Sequence, residues 1–285
     1  MNPHQHQHAQ GNPGGPMNPQ QQAQARAKVE AMRRQFEQKR AISETLSQIK
    51  YKVGVYSGKG GVGKTTVAVN LAVTLANDGA SVGILDVDID CPNVIRAMKV
   101  TEAPLAADDR KMIPPERFGV KVMSMGFFQK DEEEAIIWRG PMIHNAINQL
   151  LQSTTWGELD YLVVDLPPGT SDAPLTVMQS LEMDGFVVVT TPQELAKIDA
   201  IRSVNMIKKL QIDVLGVVEN LSGEIFGSGA GEELADHLDI PFLGSIELRA
   251  DYRDPSRPTV LNNDAVLNEY RKIAKGVGSA LVAVA

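Results

Sequence analysis

The residues most equipped for chemistry are Ser57-Gly58-Lys59-Gly60-Gly61-Val62-Gly63-Lys64-Thr65-Thr66. Glycines at this density let successive backbone N–H groups turn inward onto an anion, and the start of a following helix adds its positive dipole. In that geometry Lys64 reaches the β- and γ-phosphates of a nucleotide and the Thr65 hydroxyl ligates Mg²⁺. An apolar run, Val53-Gly54-Val55-Tyr56, precedes the stretch, and helical periodicity from Val67 to Leu75 follows it. That strand–loop–helix context separates a phosphate-binding loop from a glycine-rich turn. Gly58, Lys59, Gly60, Gly61, Val62, Gly63, Lys64, Thr65 and Thr66 are therefore candidate ATP contacts. Lys59 duplicates a charge that Lys64 already supplies. It is either a solvated loop lysine drawn to an anionic cleft or a cation serving charge elsewhere.

Two strand ends supply carboxylates. Asp86-Val87-Asp88-Ile89-Asp90 leaves the run Val82–Leu85, and crowded acids repel one another unless a cation or a donor shares them. Asp88 is the candidate for orienting an attacking water and helping to hold Mg²⁺, with Asp86 bracing the loop. The alternative gives all three aspartates turn or capping roles. The apolar strand Leu162-Val163-Val164 finishes in Asp165, as a Walker B strand does, with the carboxylate on Thr65 or on the Mg²⁺ shell. The stiff Pro167-Pro168-Gly169 turn follows. Gly169 permits a backbone N–H to approach a γ-phosphate, so the loop can switch when that phosphate leaves. Asn220, after the run 213–218, either reads the adenine edge or is a turn asparagine.

These groups need a scaffold that brings several strand ends together. Short apolar runs at 52–56, 82–86, 120–124, 161–165, 185–190, 213–218 and 242–245 alternate with helical segments. Helices are expected at 65–78, 141–153, 174–181, 195–210, 230–238 and 263–282. This alternation predicts an α/β fold of the P-loop NTPase kind. It would be a single domain over 50–285 with a mostly parallel central sheet and helices on both faces. Ligands of such sheets bind beyond the carboxyl ends of the strands, where all the motifs fall.

With 285 residues, 43% hydrophobic and 5% aromatic, the chain suits one aliphatic core. A net charge of −7 argues against a body that coats nucleic acid. One cysteine, Cys91, excludes an intrachain disulfide, no run is long and apolar enough to span a membrane, and no signal pattern opens the chain. The expected setting is the cytoplasm. Residues 1–24 are polar enough to predict a disordered tail. Residues 25–49 read as a basic amphipathic helix, with Val29, Met32 and Phe36 on one face and Arg26, Lys28, Arg33, Arg34, Lys39 and Arg40 elsewhere. It either packs on the domain or docks a partner.

Several runs together resemble the Mrp/ApbC family, deviant-Walker ATPases related to MinD and ParA that act as iron–sulfur cluster carriers or scaffolds. They are Gly58–Thr66, Trp138-Arg139-Gly140-Pro141-Met142, Trp156-Gly157-Glu158-Leu159-Asp160-Tyr161, Asp165–Thr170 and Thr190-Thr191-Pro192-Gln193. Gly216-Val217-Val218-Glu219-Asn220, Ile225-Phe226-Gly227 and Pro241-Phe242-Leu243-Gly244 extend the likeness. It implies ATP and Mg²⁺, a nucleotide-sandwich homodimer, Lys59 reaching the other subunit's nucleotide, Asp88 in switch I and Asp165 in switch II. It also implies partners in iron–sulfur assembly. One departure stands out. The family's Cys-x-x-Cys segment, which bridges a cluster across the dimer, is missing, because Leu221-Ser222-Gly223 runs directly into Glu224-Ile225-Phe226. Four thiolates usually hold a cluster, and Cys91 alone leaves two per dimer.

Two other functions compete. A MinD-like positioning ATPase wants a basic, bulky C-terminal amphipathic helix, whereas Gly276–Ala285 carries no charge and no aromatic ring. A ParA-like partition ATPase wants a basic surface, and Arg271, Lys272 and Lys275 are a small supply. A nucleotide-gated adaptor would bind ATP with negligible turnover, and Lys59, Asp88 and Asp165 argue for hydrolysis instead.

Overall fold

The computed structural model describes residues 18–107, 111–129 and 140–284. They fall into two compact units, one ending at Ala41 and one running from Ile42 to Ala285. The first is the greater part of helix α1 (Pro19–Leu46). Proline at the first helical position and the Gln/Ala run behind it favour helix. The helix thus begins within the stretch read as a disordered tail, a correction for residues 19–24; the tail's first 17 residues lie outside the described residues. The pairs Arg33–Glu37 (2.8 Å) and Arg34–Glu30 (2.6 Å) brace its surface at i,i+4 spacing. Val29, Met32 and Phe36 are all exposed. Nor does the helix run to 49. Ile49 and Lys50 belong to strand β1 (Ile49–Tyr56), whose register with the neighbouring strand starts at Ile49.

The second unit continues with α2 (Lys64–Asn77), β2 (Val82–Asp86) and α3 (Val94–Ala97). The short strands β3 (Leu105–Ala106), β4 (Met112–Ile113) and β5 (Glu116–Arg117) lead into β6 (Val120–Ser124). Then come α4 (Gly140–Ser153), β7 (Leu159–Asp165), α5 (Asp172–Ser180), β8 (Gly185–Thr190) and α6 (Glu194–Lys209). The chain closes with β9 (Val214–Ser222), α7 (Ala230–Leu238), β10 (Phe242–Glu247) and α8 (Asp264–Val284). Every strand and helix expected from the alternation of this unit is present. The short pieces α3 and β3–β5 were not foreseen, since two to four residues carry no readable period.

Eight strands order as β10-β9-β8-β1-β7-β2-β6-β5, parallel except for the edge pair β5–β6. Side chains alternate between two apolar layers, as the period of a strand demands. Val53, Val55, Ile84, Val163 and Val187 join α2 and α8 in one layer. Tyr56, Leu85, Leu162, Val164 and Phe186 join α4–α7 in the other. Burial on both faces explains why β7 and β8 are apolar almost throughout.

One register row matters for the site. Val187, Val55, Asp165, Asp86 and Ser124 stand side by side across five strands. Helix α2 is anchored behind it by Asn70, whose Nδ2 donates to Thr66 O (2.9 Å) and whose Oδ1 accepts from Val260 N (3.0 Å). Both Asn70 and Val260 are buried. Asn70→Ala would leave that N–H without a partner, so urea unfolding should show a loss of about 1–3 kcal/mol.

Candidate functional site

Strand β1 delivers the loop at the carboxyl edge of the sheet, and Gly63 starts α2 as its N-cap with φ 81°. A Cβ at Gly63 would stand 2.3 Å from Asn220 Nδ2, so this glycine is required by conformation and by space alike. Nothing lies within 4 Å of the Cβ positions of Gly60 or Gly61, so that stretch of loop faces open space. The amide of Asn220 donates to Val62 O (2.8 Å). Asn220 sits inside β9, which corrects the turn alternative: the strand continues through it, and its side chain braces the loop.

Beneath the loop three side chains converge. The Lys64 ammonium pairs with Asp165 Oδ1, and Thr65 Oγ1 donates to Asp165 Oδ2 (2.6 Å). Lys64 is 6% exposed and Asp165 fully buried, so this ion pair lies out of water. The sequence pointed to the Thr65–Asp165 contact. It did not reveal that Asp165 also takes the lysine, because the same spacing suited Lys64 to phosphate rather than to a carboxylate.

Asp86 braces the next loop, as expected. Its Oδ1 accepts from Asp88 N (3.1 Å), and its Oδ2 accepts from Val94 N and Ser124 Oγ (3.1 Å each). Burial first, and the adjacent Asp165 carboxylate second, push the Asp86 carboxyl up to about 8. Asp88 is also buried, and its Oδ1 accepts from Cys91 N (3.1 Å). Burial raises its pKa as well, while the Lys64 charge pulls it back. Asp90 is exposed, and Cys91 is a free, exposed thiol. Lys59 is half-buried and makes no side-chain ion pair or hydrogen bond among the described residues.

Three buried carboxylates thus share one buried ammonium. Such a site is balanced by a proton or by a cation. The donors are hard oxygens of Thr65, Asp88 and Asp165, which suits Mg²⁺ held partly by protein and partly by phosphate. Among the described residues no cluster of three or more His, Cys, Asp or Glu side chains forms a complete metal cage. The Trp138-Arg139 motif lies outside the described residues, and α4 begins at the Gly140 that follows it.

Just after β9 the chain closes a tight hairpin. Gly223 N donates to Gly227 O (2.8 Å) and Gly227 N to Gly223 O (2.7 Å). The tip presents Ile225 and Phe226 to solvent.

The ParA family model, described as NUBPL iron-transfer P-loop NTPase, matches residues 48–278. The chain belongs to this family. The iron-sulfur cluster carrier protein of Methanocaldococcus jannaschii is 42% identical over 251 residues, covering 83% of this chain and 87% of the relative. A nucleotide-binding protein of Archaeoglobus fulgidus, solved in complex with ADP, superposes with a TM-score of 0.69 at 36% identity, covering 79% of this chain and 94% of that one. The cell division ATPase MinD of Pyrococcus furiosus shares the fold, with a TM-score of 0.64 at 21% identity over 81% of this chain and 99% of its own. No described helix is long and apolar enough to cross a membrane.

The family's site carries a pH signature in this chain. With its pKa raised, Asp86 keeps a proton in the folded protein that the unfolded chain releases near the ordinary value of 3.8. Its contribution to stability therefore declines as pH rises from about 4 to about 8. Asp86→Asn should flatten that part of the decline in urea midpoints measured across the window on protein alone. An identical slope in both proteins would mean that Asp86 is ionised.

Proposed function

We propose that this chain is a Mg²⁺-ATP-dependent switch of the Mrp type that hydrolyses ATP as a homodimer and serves iron–sulfur cluster assembly or transfer. The observation that carries the reading is the convergence of Lys64 and Thr65 on Asp165 beneath an open glycine loop. The name of the Methanocaldococcus jannaschii relative, an iron-sulfur cluster carrier, supports the biological direction.

In this reading Lys64 neutralises charge on the β- and γ-phosphates, and the amides of Gly58–Thr66 cradle them. Mg²⁺, held by Thr65, Asp165 and the outer reach of Asp88, would offset phosphate charge when bound. Asp88 orients a water for in-line attack on the γ-phosphorus. The bond from that phosphorus to the bridging oxygen of the β-phosphate breaks, leaving ADP and inorganic phosphate. Lys59 of each subunit stabilises charge at the other's nucleotide, and no side-chain partner among the described residues of its own chain competes for it. Loss of the γ-phosphate releases the loop 166–172 and loosens the dimer. Asn220, with one amide proton on Val62, keeps its carbonyl and its second proton for the adenine edge. Turnover is slow and stimulated by partners, in the cytoplasm. With Cys91 as the sole thiol, the chain acts on clusters through assembly and client proteins.

Two measurements test this. Lys59→Ala and Asp88→Asn should each lower ATP hydrolysis at least about tenfold with ADP affinity little changed, since both act on transition-state charge or water placement. Wild-type turnover in Lys59→Ala would remove the trans role, and in Asp88→Asn the water role. Anaerobic reconstitution with iron and sulfide, followed by desalting, should return no stoichiometric bound iron or labile sulfide. A stable cluster would instead make this chain a direct carrier and turn attention to Cys91.

A further inference from the structure

The loop expected to sense the γ-phosphate is tied to the nucleotide strand through three consecutive residues. Val55 O accepts from Leu166 N (3.2 Å), Ser57 O accepts from Gly169 N (2.9 Å), and the Tyr56 hydroxyl donates to Gly169 O (2.5 Å). Gly169 is thus held on both of its backbone polar groups by adjacent residues. Its N–H, the group that would meet a γ-phosphate, is engaged with Ser57. Its φ of 88° is open to glycine, and nothing lies within 4 Å of a Cβ placed there, so the residue has room to turn.

The phenol cannot follow such a turn. Tyr56 is fully buried on central strand β1, with β7 and β8 on either side, and its ring meets Phe186 edge-on at 6.4 Å and 72°. Burial pushes its pKa up to about 12, so it remains an O–H donor across the physiological range. Cavity filling alone would need only the ring. The hydroxyl adds a directional bond to the one residue of the loop that must reorient.

We propose that Tyr56 is a positioning residue for the switch: its hydroxyl holds Gly169 against Ser57, and so sets how readily the loop 166–172 turns toward a γ-phosphate. The proposal rests on the ATPase reading above. It makes a distinction that simple packing does not. Releasing the hold should favour nucleotides that carry a γ-phosphate and leave ADP indifferent, because a ligand shifts an equilibrium only by its differential affinity.

The test is calorimetric titration of wild type, Tyr56→Phe and Phe186→Leu with ADP and with a non-hydrolysable ATP analogue, with Mg²⁺ present. Tyr56→Phe keeps the ring and should bind the analogue about three- to tenfold tighter, the worth of one buried hydrogen bond, with ADP within about twofold of wild type. Phe186→Leu disturbs the same wall without the hydroxyl and should leave the analogue-to-ADP ratio unchanged. Hydrogen exchange across 166–172, measured without nucleotide, should quicken in Tyr56→Phe. An unchanged analogue-to-ADP ratio in Tyr56→Phe, or the same change in Phe186→Leu, overturns the positioning role while the ATPase reading stands. A wild-type protein that binds neither nucleotide overturns that reading, and this proposal with it.

Discussion

The arrangement depends on one buried carboxylate, Asp165, that takes both Lys64 and Thr65 at the foot of the phosphate loop. A carboxylate and an ammonium removed from water are tolerated only when each finds the other and the remaining lone pairs are used. The parallel pairing of β1 with β7 brings residue 165 under residue 64. Helix α2 follows β1, with Lys64 and Thr65 in its first turn. The loop between them is then left to glycine, whose backbone can arch over the anion site while Asn220 steadies Val62 from the far side.

The same register row couples this centre to the next loop. Asp86 stands beside Asp165 across β2 and β7, and it organises the loop after β2 through Asp88 N and Val94 N. Burial first and the Asp165 charge second raise the Asp86 pKa, so the two carboxylates are electrostatic neighbours. On the other side, β1 touches the loop after β7 through Val55, Tyr56 and Ser57. The phosphate loop and the loops after β2 and β7 thus meet on neighbouring strand ends, joined by short polar contacts.

Much of this was legible in the chain. The runs at 82–86, 120–124 and 185–190 coincide with β2, β6 and β8, because strands buried on both faces are continuous apolar stretches between glycines and acids. The loop at 58–66 and Asp165 were legible because phosphate chemistry demands particular residue types at fixed spacing. The start of α1 was misread, since Gln and Ala carry helix propensity without the apolar periodicity that marks a packed helix. Asn220 was ambiguous because asparagine suits turns, and only the continuation of β9 places it in a strand beside Val62.

The sequence by itself determined the chemistry on offer: a nucleotide loop, two acidic strand ends, a single thiol and an alternating α/β pattern, all set by local spacing. It also carried the likeness to iron–sulfur carriers. Only the tertiary structure decided which of these groups meet. Lys64 on Asp165, Asp86 beside Asp165, Asn220 on Val62 and Tyr56 on Gly169 join residues 79 to 158 positions apart or lie on separate strands. Such contacts follow from strand order and register, which many distant pairings compete to set and which no local pattern encodes.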